Sequence, residues 1–179
     1  MGVLKNLAIF LICVVGIAGL VSFVLPTTWE VSRELQIGLD SREVHDTAGD
    51  LSTWNTWSPF GIAADSSAVF TPGASTTGEG ATAEWTGEDI GKGSLKFTAS
   101  DQDKGVWFDL TLGGGRERVK GVLQYEDLPT GAIMARYTLR GDVSSNPVGR
   151  YVGIFRGYTM GPNLVDSLSR LKKITEAGM

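Results

Sequence analysis

From Leu7 to Leu25 the chain runs LAIFLICVVGIAGLVSFVL without a charged side chain. Held as a helix at about 1.5 Å of rise per residue, such a run matches a hydrocarbon core roughly 30 Å thick. A cleaved leader has a shorter apolar stretch, about 7 to 15 residues, ending in a small-x-small site. Here the candidate triplet, Gly16-Ile17-Ala18, lies inside the run, and Ile12 is too bulky for a lipoprotein site at Cys13. The expectation is therefore a retained spanning helix. Pro26 ends it, which divides the chain into an anchor at 1–26 and a domain at 27–179. Lys5 and the N-terminal amine flank one side, and Thr27, Thr28, Trp29 and Glu30 flank the other, with Trp29 suited to an interface. That asymmetry predicts an inner-membrane protein with a cytoplasmic N-terminus and its domain on the periplasmic side.

The remainder has room for one compact domain, since the whole chain has 179 residues, 42% of them hydrophobic and 20% charged. A net charge of −4 argues against a nucleic-acid binder, which needs a basic patch. Cys13 is the only cysteine and sits in the apolar run, so the domain has no internal disulfide and no thiolate metal site.

Alternation from Glu30 to Leu39 reads as a first strand, with Val31, Leu35, Ile37 and Leu39 on one face and Arg33 breaking the run. Asp40 and Glu43 form a capping-box pair that opens a short helix closed by Gly49, and Asp50 starts a second turn leading to Trp54 and Trp57. Five strands follow at 81–85, 94–99, 106–112, 119–126 and 132–140, with a further short one around Val69 and Phe70. Their separators carry turn chemistry and are too short for crossover helices, so the sheet is an antiparallel meander. Beyond Pro162, Leu164, Val165, Leu168, Leu171 and Ile174 recur at helical spacing, which predicts an amphipathic last helix lying on the sheet.

The residues Trp54-x-x-Trp57-Ser58-Pro59, Gly78-x-Gly80-Ala81, Trp85-x-Gly87, Gly91-x-Gly93-Ser94 and Met160-Gly161-Pro162 carry a resemblance to the START or birch-pollen-allergen-like superfamily, SRPBCC. Within it the chain resembles the bacterial polyketide cyclase/dehydrase-like members, from about Trp29 to Glu176. The resemblance implies an α+β helix-grip fold: a curved antiparallel sheet around a long C-terminal helix, with two short helices after the first strand. It also implies an apolar cavity, which Trp85, Phe97, Phe108, Tyr125 and Tyr137 would line, each at an apolar phase of its strand. Trp54 and Trp57 are read as wedges holding the short helices on the sheet.

Other motifs carry less. Gly78-x-Gly80-x-x-Ala83 matches a dinucleotide fingerprint in letters, but a strand follows where a helix is needed. Asp101-x-Asp103-x-Gly105 begins like a calcium loop and meets Leu112 where the closing Glu belongs. Glu88-Asp89 and Glu126-Asp127 read as turn carboxylates. His45, the only histidine, is expected to be solvent-exposed. The scarcity of histidine and cysteine leaves no recognisable catalytic set, no metal site and no cofactor site. The leading expectation is a non-enzymatic membrane-anchored module that binds a lipid, isoprenoid or quinone-like molecule. Its rivals are an accessory subunit of a larger membrane complex, whose spanning helix packs through Gly16 and Gly19, and a polyketide cyclase-like enzyme.

Overall fold

The computed structural model describes residues 2–143 and 147–178. Helix α1 (Gly2–Ser22) contains a span, Leu4–Ser22, of mean hydropathy 2.3, exposed up to Ser22, which is buried, and long and apolar enough to cross a membrane. Two residues beyond Val24, Pro26 precedes strand β1 (Thr28–Ile37). Helix α2 (Ser41–Ala48) opens on the capping box, in which Asp40 accepts from the Glu43 N–H at 3.0 Å and Glu43 accepts from the Asp40 N–H at 3.3 Å. Reciprocal capping satisfies donors that a helix start otherwise leaves bare. A single turn, α3 (Trp54–Trp57), follows.

The chain then builds β2 (Val69–Pro72), β3 (Thr82–Gly87), β4 (Gly91–Asp101), β5 (Gly105–Leu112), β6 (Glu117–Asp127) and β7 (Ile133–Asp142) as consecutive antiparallel hairpins. Strand β1 pairs with β7 from Thr28↔Asp142 to Ile37↔Ile133, giving the order β1-β7-β6-β5-β4-β3-β2. Gly105, at φ +123°, starts β5 with its α-carbon against the backbone of Leu123 and Gln124, where a side chain has no room. The curved seven-stranded sheet and the long C-terminal helix α4 (Pro147–Ala177) define a helix-grip fold.

The last helix is longer than its sequence pattern indicates. It starts at Pro147, not after Pro162, and carries Pro162 inside it. Proline removes one backbone donor and crowds the preceding turn, so it reads as a helix start; here the packing of both halves on β1 outweighs that cost. One face of α4 is turned toward the sheet, closely packed from Gly161 onward. Its C-terminal half buries Leu164, Ser167, Leu168, Leu171 and Thr175. Its N-terminal half presents Gly149, Gly153, Gly157 and Gly161 at four-residue intervals on that same face. Gly153 rests at 3.5 Å from Trp29, and Gly161 lies against the guanidinium of Arg33. Arg33 Nη2 also donates to the Gly157 carbonyl at 3.5 Å, which explains why an arginine interrupts the apolar face of β1.

Two further readings need correcting. Trp29 is not an interfacial anchor: it is buried at 5% exposure over Gly141, with Arg156 stacked 5.4 Å from its ring. His45 is not solvent-exposed, because the apolar side of α2 carries it against the sheet beside Val44 and Ala48.

Candidate functional site

Strand alternation turns one set of side chains toward the concave face, under α3 and α4. Trp85 from β3, Phe97 from β4, Phe108 from β5, Tyr125 from β6 and Tyr137 from β7 are all buried there. Two of these rings, with Trp29, lie over a glycine directly opposite on the neighbouring strand: Trp85 over Gly93, Phe108 over Gly121 and Trp29 over Gly141. A ring needs a flat floor to lie on the sheet, and a partner without a Cβ supplies it.

Above this floor, α3 lowers its two tryptophans. Trp54 meets Phe108 edge-on at 5.2 Å and Phe97 at 5.6 Å, while Trp57 lies 6.5 Å from Tyr137 and Phe108 6.1 Å from Tyr137. Phe60 stacks on Trp85 at 4.6 Å. The structure thus joins Phe97, Phe108 and Tyr137 through Trp54 and Trp57, while Trp85 pairs separately with Phe60. The wedge tryptophans are satisfied, since Trp54 Nε1 donates to the Ala48 carbonyl at 2.9 Å and Trp57 Nε1 to Thr53 Oγ1 at 3.3 Å. By contrast, Trp85 Nε1 and the Tyr137 hydroxyl are fully buried with no hydrogen-bond partner among the described residues. Burial pushes the Tyr137 hydroxyl pKa far above the ordinary tyrosine value, so the group is a neutral donor.

Tyr125 stands apart from this set, with a different partner. Its hydroxyl lies 3.4 Å from His45 Nδ1, and Ser100 Oγ lies 3.1 Å from His45 Nε2. Desolvation lowers the histidine pKa below 6.5, against the raising influence of Asp46 and Asp101. Burial favours the neutral ring, and hydroxyls from two strands, Ser100 on β4 and Tyr125 on β6, face its two nitrogens. No local pattern announces this cluster, because Ser100 and Tyr125 lie 55 and 80 residues from His45 along the chain.

Asp65 is another residue that sequence reading passed over. It accepts from Ser67 Oγ at 2.6 Å and from the N–H groups of Ser67, Asp89 and Ile90, tying the loop after α3 to the β3–β4 turn. The Ser67 hydroxyl bond, with those backbone bonds, holds its pKa down at about 2. Asp101 plays a similar part in the β4–β5 turn, taking the N–H groups of Asp103 and Lys104. On α1 the space beside Gly16 and Gly19 is open within the described residues.

No family model matches the chain, and no curated protein sequence matches it. Solved structures do. Norcoclaurine synthase from Thalictrum flavum, in complex with dopamine and hydroxybenzaldehyde, aligns at TM-score 0.65 with 12% identity, covering 89% of this chain and 92% of that one. The protein SA2116 from Staphylococcus aureus aligns at TM-score 0.63 with 10% identity over 84% and 96% of the two chains. Ara h 8.0201 aligns at TM-score 0.57 with 9% identity over 84% and 99%. At these identities the likeness concerns the fold, which is of the birch-pollen-allergen or SRPBCC type.

Proposed function

We propose that this chain is a membrane-anchored, non-catalytic helix-grip module that takes an apolar or amphipathic molecule, such as a lipid, isoprenoid or quinone-like compound, beside the bilayer. The observation that carries the reading is the Tyr137 hydroxyl, a buried neutral donor with no partner among the described residues, within an aromatic shell. Leaving such a group unmatched costs about 1 to 3 kcal/mol, and a ligand with one acceptor oxygen and an apolar body recovers that cost. Similar folds support the reading by analogy: norcoclaurine synthase holds dopamine and hydroxybenzaldehyde. The anchor, read as an inner-membrane helix with the domain on the periplasmic side, keeps the module where apolar molecules concentrate.

The test uses the full chain extracted in native lipid discs. Native mass spectrometry is expected to find a retained apolar molecule, and Tyr137→Phe to reduce its occupancy while leaving the fold intact. Equal occupancy in the variant, or no retained molecule in either protein, defeats the reading. A second reading, an accessory subunit of a membrane complex, is favoured by the contact of Trp54 with Trp57, Phe97 and Phe108, which fills the centre of the concave face with protein. Comigration of the chain with other integral proteins after mild extraction would support that alternative.

A further inference from the structure

The outer face of α4 changes character halfway along. Opposite the glycines, Val148, Val152, Ile154, Phe155 and Tyr158 are all exposed, from 48% at Val152 to 81% at Tyr158, and they form one arc of the helix. Past Pro162 the same outer side carries Asp166, Ser169 and Lys173, with Val165 the exposed apolar residue among them. A helix that meets water along its whole length has no reason for this switch.

The apolar half is also the half that touches α1. The Tyr151 hydroxyl donates to the carbonyl of Ala18, Arg150 Nη1 donates to the carbonyl of Ser22 at 2.8 Å, and the Arg150 guanidinium lies 6.0 Å from the Phe23 ring. Ala18 lies inside the apolar span Leu4–Ser22, so these contacts hold the start of α4 level with the end of that span. The exposed side chains of Leu20, Val21, Phe23 and Val24 continue the apolar surface of α1 toward it. Beside the arc, a groove of about 250 Å³ sets Val148 and Val152 next to Arg116, with Arg156, Glu117 and Asp142 in its wall, at the end of the sheet where the exposed Arg118 also lies. Apolar side chains for the acyl region, tyrosines at their edge and arginines for phosphates make up the composition of an interfacial helix.

We propose that the N-terminal half of α4, from Pro147 to Tyr158, lies in the lipid headgroup region and that Arg150 and Tyr151 fix its depth against α1. The inference rests on the reading of α1 as a membrane anchor, and the occupant of the apolar arc is the bilayer itself. The domain is thereby held at a set angle to the membrane and does not swing on the short segment between α1 and β1.

The test places single nitroxide labels on the full chain carrying Cys13→Ala, reconstituted in vesicles of phosphatidylcholine and phosphatidylglycerol. Labels replace Val152, Phe155 or Tyr158 on the arc, Ser169 or Lys173 farther along the outer side, and Ile12 in the span. Power saturation compares access to oxygen, which partitions into lipid, with access to a neutral nickel chelate, which stays in water. Ile12 and the three arc positions are expected to show an oxygen-to-nickel access ratio several-fold above that of Ser169 and Lys173. Nickel access at the arc with oxygen access at Ile12 overturns this inference and leaves the anchor standing; nickel access at Ile12 overturns the anchor and the inference with it. Arc labels closed to both reagents, with spin–spin broadening that disappears on dilution by unlabelled chain, show that a second copy covers the arc and also overturn it. Arc labels closed to both without such broadening show cover by protein and overturn it equally.

Discussion

Tyr137 and His45 are both buried polar residues on or against the concave face, and they differ in whether the protein answers them. Removing the unanswered Tyr137 hydroxyl as Tyr137→Phe, in ligand-free protein, is expected to leave stability unchanged or raise it by about 1 kcal/mol, because the orphaned donor disappears with its desolvation cost. A clear fall in the denaturation midpoint would mean that the hydroxyl has a partner in solution. His45 is answered by Ser100 and Tyr125 and held neutral by burial. Its folded-state pKa lies below 6.5, so below that pH the unfolded chain binds the proton more readily. Its contribution is therefore complete above 6.5 and is lost as pH falls through the lower folded value. Denaturant midpoints measured from pH 7 downward should fall in this window, and His45→Gln should flatten that part of the profile. The sequence offered the aromatic phase of Tyr137 and Tyr125 plainly, since alternation along a strand is local. It offered nothing about His45, whose burial depends on the docking of α2 on β5 and β6.

At the scale of elements, the strands were legible because each has a two-residue period and a turn rich in glycine or aspartate. The capping box gave α2 for the same reason: Asp40 and Glu43 are three residues apart and need no tertiary contact to declare themselves. The first half of α4 was not legible, because glycines every four residues and an internal proline lower helix propensity while tertiary packing sustains the helix. The spacing itself was the available signal, since 149, 153, 157 and 161 fall on one helical face. Those glycines are not equivalent. A Cβ at Gly157 meets nothing within 4 Å, so Gly157→Ala should stabilise the domain by about 0.5 to 1 kcal/mol through reduced unfolded-state entropy. At Gly161 a Cβ enters the space of the Arg33 guanidinium, so Gly161→Ala should gain less or lose stability. Equal gains at both positions, measured by reversible denaturation, would show that Arg33 is not held beneath α4.

For the whole molecule, the apolar run defines a helix able to cross a membrane, while the side on which the domain emerges depends on charge. The structure removes Trp29 from the argument by burying it over Gly141, which leaves Lys5 and the N-terminal amine as the basic flank. Loop cations near a span bias retention on the cytoplasmic side, so one lysine predicts a cytoplasmic N-terminus with a modest driving force. Arg150 has the opposite tendency in sequence terms, yet it reaches the Ser22 carbonyl from the folded domain, which long translocated segments carry across largely regardless of charge. The expected topology is therefore a domain outside the cytoplasm. In a chain with Cys13→Ala and one new thiol at the exposed Ala74, in the loop between β2 and β3, a membrane-impermeant maleimide should label intact spheroplasts fully. Adding Lys5→Gln should produce a mixed population, with part of the thiol protected until the membrane is opened. Protection of Ala74→Cys in intact spheroplasts, with labelling only in inverted vesicles, would reverse the orientation and place the apolar arc of α4 against the cytoplasmic leaflet instead.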